Sequence, residues 1–420
     1  MSAPATTTGL AGSGRGGLRR EVIAALAITT TASYGVLYYA FSALLEPMRN
    51  DLHISPTAAT GALTLASLIS AVLAVPVGRL LDARGGHGVM SLGSVIASVA
   101  VLAWSQAENT IELYAAFVAI GIGSAMVLYP PAFAVVVAVT EPRRRTAALL
   151  AITLVAGFAS SIFIPLTGQL VHALGWRRAL LVLAAVLAVT TIPLHFLALR
   201  GTRPDNTRRA THEPHTSPAR VLRDTGFWLL AVVFVLHSVA LAIIGVHLVT
   251  YLTKLGHSPT TAATLAGLLG LLSVTGRITV SVLRRWLPMT SISAAVITLQ
   301  GIALAILPAA GHSTAGAAGC LIAFGPGFGV ASIAKPAILL DRYGDQGYAT
   351  IAGLLGTPTT LAFAVAPLGA AALVTAIGYT PLILSAATAC TLAGLTLAAI
   401  HFLPTRFTPV SPRRSRSCEP

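Results

Sequence analysis

Apolar residues occur along this chain in long runs, and short polar segments separate one run from the next. Each run reaches ~18 residues or more, and a helix needs about 20 apolar residues to cross the hydrocarbon core of a bilayer. We find twelve runs, at about residues 22–45, 58–81, 89–106, 112–138, 146–171, 178–199, 226–252, 260–283, 289–308, 315–340, 350–374 and 381–403. The pattern predicts an all-α membrane protein with twelve transmembrane helices.

The composition agrees with a membrane protein. Of the 420 residues, 55% are hydrophobic and 10% are charged, whereas soluble domains carry about 25% charged residues. The three cysteines, Cys320, Cys390 and Cys418, have neither metal-ligand spacing nor a disulfide pattern. We therefore predict no metal and no cofactor.

A net charge of +14 could indicate a nucleic-acid partner. The positions of the basic residues indicate a different reason for the charge. If the N-terminus is cytoplasmic, 21 Lys and Arg residues lie on that side of the predicted helices and four lie on the other. This asymmetry is typical of membrane proteins, whose cytoplasmic loops are basic. It predicts a bacterial plasma (inner) membrane protein with both termini in the cytoplasm, surrounded by lipid and without a nucleic-acid partner.

A polar, basic, proline-containing segment at residues 200–225 divides the helices six and six. We predict a disordered tail (1–20), an N-terminal six-helix bundle (21–199), a cytoplasmic linker (200–225), a C-terminal six-helix bundle (226–403) and a basic tail (404–420). Two pseudo-symmetric bundles are typical of carriers that expose a site between them alternately to the two sides.

The sequence "GRLLDARGG", Gly78 to Gly86, joins the second and third predicted helices. It resembles the signature loop of the major facilitator superfamily. The matching residues are Gly78, Leu80, Asp82, Arg84 and Gly85, with Ala83 where an arginine is commoner. The resemblance implies the major facilitator fold, and it implies that Gly78, Asp82, Arg84 and Gly85 form a conformational latch.

Other segments are similar to the bacterial monocarboxylate transporters, a branch related to the oxalate/formate exchangers. They are "SYGVLYYAFSALLEPM" from Ser33, "GWRRAL" from Gly175, "GVHLVTYLTKLGHSP" from Gly245 and "GRI" from Gly276. Two features of proton-coupled drug antiporters are missing, since Phe117 stands where they have an arginine and Pro165 is not preceded by glycine. A multidrug antiporter is therefore disfavoured.

The distribution of charge within the helices indicates an anion site. All thirteen acidic residues fall in loops, tails or the last turn of a predicted helix, whereas Arg277 lies inside the eighth helix. A buried charge costs ~2.5–3.5 kcal/mol on insertion scales, and an anionic ligand would offset that cost. Ser273 lies one turn away on the same face. The alternative is snorkelling, but Arg284, which marks the helix end, is seven residues or ~10 Å away.

Further candidates for substrate binding are Tyr34 and Tyr38 in the first helix, Tyr129 in the fourth, His247 in the seventh and Lys335 in the tenth. The alternatives are that the tyrosines are core aromatics, that His247 is a packing residue and that Lys335 snorkels. The branch resemblance implies that Arg277 binds a carboxylate group. Ser273 and Tyr38 replace an aspartate and a lysine of that branch, so the resemblance leaves proton coupling open, with His247 or the substrate itself as the proton carrier.

We therefore predict a secondary-active carrier, working as a monomer, that moves a small organic anion, such as a monocarboxylate, by alternating access. Symport with protons is one form this transport could take. An exporter of an apolar or zwitterionic metabolite or drug is the alternative, and a membrane sensor is a third hypothesis. We predict no enzymatic activity, because no nucleophile–base set or metal cluster is apparent.

Overall fold

The computed structural model describes residues 11–200 and 218–401, and the regular elements in these ranges are all helices. Twelve helices are long and apolar enough to cross a membrane, which confirms the predicted fold class. We number them α1 (Arg20–Asp51), α2 (Pro56–Arg84), α3 (Gly86–Gln106), α4 (Thr110–Val139), α5 (Pro142–Leu174), α6 (Trp176–Ala198), α7 (Thr225–Lys254), α8 (Pro259–Leu283), α9 (Met289–Ala310), α10 (Thr314–Tyr343), α11 (Tyr348–Ile377) and α12 (Tyr379–Ile400).

Residues 201–217 of the predicted linker, residues 1–10 of the first predicted tail and the whole of the second lie outside the described residues, whereas residues 11–20, predicted to be disordered, are helical. A short helix, Pro218–Val221, precedes α7, and the helical segment that contains the start of α1 begins at Ala11. We refer to residues before the linker as the first half and to residues after it as the second half.

Local sequence signals set the ends of the helices. Ser55 begins α2, where its side chain accepts a hydrogen bond from the Ala58 N–H and Pro56 occupies the first helical position. Gly85 ends the same helix with a φ of 77°, a conformation that favours glycine. Because these polar residues belong to the helix ends, the helices reach beyond the apolar runs.

Four of the twelve helices are irregular near the middle of the bundle. A π-helical segment, Gly35–Tyr39, lies within α1, and α4 is interrupted at Leu128 before two prolines. Helix α5 is interrupted at Gly157 and Phe158, and α10 at Gly325 before Pro326. Such breaks are tolerated in a membrane where protein groups or a water-lined cavity satisfy the freed backbone. They therefore mark places where a site between the helices can form.

The two halves meet closely along α2 and α11. A Cβ at Gly78 would overlap the backbone of Ala349, and one at Gly353 would overlap that of Ala74. Deeper in the bundle, the Thr357 hydroxyl donates to the Ala71 carbonyl at 2.8 Å. Small residues thus let the two helices pack backbone against backbone.

Polar contacts reinforce this junction at the ends of the helices near Asp82, which we call the Asp82 side. Arg145 at the start of α5 pairs with Asp345, which follows α10, at 2.6 Å. Arg284, just after α8, donates to the Thr146 hydroxyl of the first half at 2.7 Å and also pairs with Asp341. The halves are therefore joined by charged groups on the Asp82 side.

Candidate functional site

The loop predicted to act as a latch contacts the second half through two of its residues. The Asp82 carboxylate accepts hydrogen bonds from the N–H groups of Ala349 and Thr350, at 3.1 and 2.8 Å, and from the Thr350 hydroxyl at 2.6 Å. Gly78 packs against the same turn, Gly85 ends α2, and Arg84 is exposed. A carboxylate is well placed here because α11 begins at Tyr348 and the N-terminus of a helix attracts negative charge.

Arg277 lies in α8, six residues before its last residue, and is only 8% exposed. Its Nη1 donates to the backbone carbonyl of Thr153 in α5 at 2.6 Å, and its Nε is buried without a hydrogen-bond partner. Among the described residues, no carboxylate lies within 4.0 Å of the guanidinium. The guanidinium is therefore buried, positively charged and only partly satisfied by the protein.

Two glycines make room for this side chain. A Cβ at Gly157, in the interruption of α5, would overlap Arg277 Nη1, and a Cβ at Gly329 of α10 would lie 3.0 Å from Arg277 Cγ. Gly276, the residue before Arg277 in α8, packs against the backbone of Pro326 at the break in α10. Helix α5 of the first half and α10 of the second thus both pack against Arg277.

Aromatic side chains from α1 and α4 lie beside Arg277. The rings of Tyr34 and Tyr129 are 4.6 Å apart, and Tyr129 stacks on Phe133 at 5.1 Å. Tyr129 and Tyr39 are close enough to Arg277 to interact electrostatically with it. The structure therefore brings the predicted residue Tyr129 towards Arg277, and the predicted residue Tyr34 packs against Tyr129.

Tyr39, rather than Tyr34 or Tyr38, is the tyrosine of α1 that interacts electrostatically with Arg277. Tyr38 is 38% exposed and meets Tyr39 edge-on, with the ring centroids 5.3 Å apart. In a regular α-helix Tyr34 and Tyr38, four residues apart, would lie on one face, but residues 35–39 are π-helical, which widens the turn to an i→i+5 hydrogen bond. No signal in the hydrophobic pattern marks this change.

Lys335 does not belong to the group of residues around Arg277, because its contacts are with two other helices of the second half. Its Nζ donates to the Thr359 hydroxyl of α11 at 2.7 Å and lies 5.7 Å from the centre of the Phe234 ring of α7. One turn further along α7, His237 Nε2 donates to Gln300 Oε1 at 2.8 Å. These residues form a polar cluster within the second half.

His247 belongs to a different group, on the side of the bundle opposite Asp82. Its ring lies 6.0 Å from that of Tyr379 in α12, and the Lys254 ammonium lies 4.9 Å from the same ring. His247 Nε2 and the Tyr251 hydroxyl are buried without partners. Ser273 is half-buried in α8, where its carbonyl packs against Gly329, one of the glycines beside Arg277.

The sequence profile of the Major Facilitator Superfamily matches residues 26–367, which is most of the chain. The chain belongs to the Major Facilitator Superfamily. This confirms the family indicated by the loop from Gly78 to Gly86 and assigns the chain to multi-pass membrane transporters.

One curated relative is an MFS-type efflux pump of Mycolicibacterium smegmatis, 32% identical over 203 residues, or 47% of this chain and 46% of the relative. The match spans about half the length of that relative. Among solved structures, the E. coli fucose:proton symporter FucP has a TM-score of 0.72 at 13% identity, covering 90% of this chain and 98% of that one. The human organic anion transporter MFSD10 has a TM-score of 0.69 at 16% identity, covering 90% and 99%. These likenesses show the superfamily fold.

Proposed function

We propose that this superfamily member carries a small organic anion, a monocarboxylate, by alternating access, and that Arg277 binds its carboxylate. The observation that supports this most is the buried guanidinium, which has a neutral carbonyl as its partner and one N–H group without any. A carboxylate could accept two parallel hydrogen bonds from a guanidinium and neutralise it as well. Both effects would offset the cost of the buried charge.

The surroundings of Arg277 suit a small ligand. Tyr34 and Tyr129 provide apolar ring faces with polar hydroxyls, and Tyr39 adds a further hydroxyl near the positive charge. Such a site would hold a carboxylate at one end and a short carbon skeleton against the rings. Ser273 lies one turn from Arg277 and completes the proposed site.

His247 and Lys335 remain predictions from the sequence alone. The contacts of Lys335 are with Thr359 and Phe234, and those of His247 are with Tyr379. Binding of substrate by these two residues, and coupling to protons through His247, are separate from the proposed role of Arg277.

The proposal includes an orientation and a location. The basic residues concentrate on the Asp82 side, which supports a cytoplasmic position for that side and for both termini, in a bacterial inner membrane. Since the charged contacts between the halves also lie there, the conformation described would be closed towards the cytoplasm. We further propose that the two bundles, bounded at residues 21–199 and 226–403, work as a monomer.

Export of an apolar or zwitterionic compound is the second candidate function. The name of the M. smegmatis relative, an efflux pump, favours it. Under this hypothesis Arg277 would serve to pack the two halves through the Thr153 carbonyl, and the substrate would not contact it.

Uptake by the full-length protein in proteoliposomes distinguishes anion transport through Arg277 from export of an apolar or zwitterionic compound. The measured quantities are the initial rates for labelled lactate, for pyruvate and for neutral lactamide, with and without a pH gradient. We expect wild type to carry the two anions and Arg277→Ala to lose at least 90% of that uptake, because the carboxylate loses the buried cation that is proposed to bind it. Arg277→Lys should retain part of it, since the charge remains but the two-bond geometry is lost.

Arg285→Ala is the matched control, because Arg285 is an exposed arginine that follows α8. It should transport lactate at the wild-type rate. Equal transport of lactamide by wild type and Arg277→Ala, with no dependence on the carboxylate, would overturn the anion proposal and favour the exporter.

A further inference from the structure

The hydrogen bond between Arg277 and Thr153 joins the two halves away from their ends. Arg277 belongs to α8 of the second half, whereas Thr153 belongs to α5 of the first, eleven residues after Pro142 at the start of that helix. The Thr153 carbonyl also accepts the helical hydrogen bond of the Gly157 N–H at 3.0 Å. One carbonyl oxygen thus serves both a helix and a guanidinium.

Gly157 makes this bond possible. The residue lies where α5 is interrupted, and a methyl group there would overlap Arg277 Nη1, the atom that donates to Thr153. Arg277 Nε is buried and lacks a hydrogen-bond partner. A side chain at position 157 would therefore disturb the bond to Thr153 without removing the positive charge.

We propose that the Thr153 carbonyl and the substrate carboxylate compete for Arg277, so that substrate binding breaks a bond between the halves. This inference rests on the proposed function, since it requires a carboxylate at Arg277. A hydrogen bond between two charged groups is stronger than one to a neutral carbonyl. The exchange is thus favourable for an anion, and a neutral molecule has no comparable means of displacing the carbonyl.

Replacement of the Thr153 carbonyl by the substrate carboxylate would change the equilibrium between two conformations. A ligand shifts an equilibrium between two states only when it binds them with different affinities. In the state in which α5 and α8 are joined, the Thr153 carbonyl occupies Arg277 Nη1, whereas in the separated state Nη1 is available to the substrate. Substrate therefore favours separation of α5 from α8, and position 157 sets how much of the binding free energy is spent on breaking the bond.

Reciprocity makes the inference testable by substitution. If the carbonyl competes with substrate, weakening the Arg277–Thr153 bond must tighten substrate binding. In Gly157→Ala we expect the dissociation constant of lactate to fall about tenfold, the scale of a hydrogen bond to a charged group. The measurement is equilibrium binding of labelled lactate to the purified full-length protein.

Gly168→Ala is the matched control, because Gly168 lies in the same helix and a Cβ there meets no atom within 4 Å. Its affinity for lactate should equal that of wild type. The two variants make the same chemical change in one helix, so a difference between them reports on the contact with Arg277.

A distance measurement tests the conformational part. Spin labels are placed on cysteines at the exposed positions Arg144 of the first half and Arg285 of the second, with Cys418 replaced by serine. Cys320 and Cys390 are buried. We expect lactate to lengthen the 144–285 distance in wild type, and unliganded Gly157→Ala to show the lengthened distance already. Unliganded Arg277→Ala should show it too, which tests the inference even if Gly157→Ala does not fold.

The outcomes separate the two proposals. Lactate binding that is unchanged in Arg277→Ala would overturn the proposed function. If binding requires Arg277 but Gly157→Ala and Gly168→Ala bind lactate alike, and the label distance of Arg277→Ala equals that of unliganded wild type, then the competition alone is wrong.

Discussion

The Asp82 carboxylate of α2 accepts a hydrogen bond of 2.6 Å from the Thr350 hydroxyl of α11, and the N–H of Thr350 reaches the same oxygen at 2.8 Å. Residues 268 positions apart in sequence are therefore joined at the N-terminus of a helix in the other half. A negative charge at that position is favoured because the N–H groups of the first turn have no acceptor within their own helix. The contact stabilises the conformation in which the Asp82 side is closed.

Asp82→Asn should weaken this closure. The amide keeps one acceptor oxygen but turns an NH₂ group towards an N–H donor, and it loses the charge that faces the helix N-terminus. Hydrogen bonds to charged groups contribute about 1.5–3 kcal/mol, so we expect a lengthened 144–285 label distance without lactate and a lower uptake rate. Glu112→Gln is a control on the opposite side, where the carboxylate accepts hydrogen bonds from the Glu108 N–H and the Asn109 side chain of the first half. An unchanged distance in Asp82→Asn would show that this contact does not hold the Asp82 side closed.

The Arg145–Asp345 pair should stabilise the closed Asp82 side less than Asp82 does, although it too joins the halves. Asp345 has a side chain that is 40% exposed, and exposed ion pairs contribute about 0.2–1 kcal/mol. We expect Arg145→Glu and Asp345→Arg each to reduce the rate of lactate uptake severalfold through repulsion of like charges, and the double variant to recover most of it. The measurement is uptake at low and high salt, since salt should reduce the effect of each single reversal. No recovery in the double variant would mean that each residue acts through other contacts, such as that of Arg145 with the Thr140 carbonyl.

Tyr39 and Tyr38 are adjacent in sequence but should differ in their effect on the site. Tyr39 interacts electrostatically with Arg277, whereas Tyr38 is 38% exposed. We expect Tyr39→Phe to raise the KM for lactate about 3–10-fold, the scale of one hydrogen bond, with little change in the maximal rate. Tyr38→Phe, the matched control, should stay within about twofold of wild type. Reversed effects would mean that α1 keeps a regular helical register during transport and that the π-helical turn is not part of the binding conformation.

The twelve helices follow from the sequence because spanning a bilayer demands length and apolarity together, and both are visible in a single run of residues. The absence of a carboxylate partner for Arg277 among the described residues could also be predicted from the sequence. Since every acidic residue lies near a predicted helix end, none was available at the depth of Arg277. Asp82 was recognisable because its loop combines a short turn with a family motif.

What the sequence does not reveal lies mainly in the backbone. The partner of Arg277 is the carbonyl of Thr153, and every residue has such a carbonyl, so no side-chain pattern identifies it. Gly157 is one of 38 glycines, and its importance depends on a helix of the other half. The π-helical turn that brings Tyr39 rather than Tyr38 towards Arg277 likewise depends on tertiary packing, which overrides the i, i+4 spacing.

Gln300 of α9 should be important for stability, because it satisfies two buried groups at once. Its Oε1 accepts from His237 Nε2 at 2.8 Å, and its Nε2 donates to the Phe324 carbonyl at 2.9 Å. That carbonyl lies at the break in α10, where the Phe328 N–H bonds to Gly325 instead. The single side chain therefore replaces a helical hydrogen bond and partners a buried histidine.

Gln300→Met keeps the volume of the side chain but leaves both groups unpaired in a low-dielectric interior. Each unpaired group costs about 1–3 kcal/mol, so we expect a clear fall in the midpoint of thermal unfolding. A thiol-reactive dye measures it in the Cys418→Ser background, since Cys320 and Cys390 are buried and react only on unfolding. Gln106→Met, at an exposed glutamine whose amide bonds to the adjacent Ser105, should leave the midpoint unchanged. Equal midpoints for both variants would mean that water or a local rearrangement satisfies His237 and the Phe324 carbonyl, and that the break in α10 does not depend on Gln300.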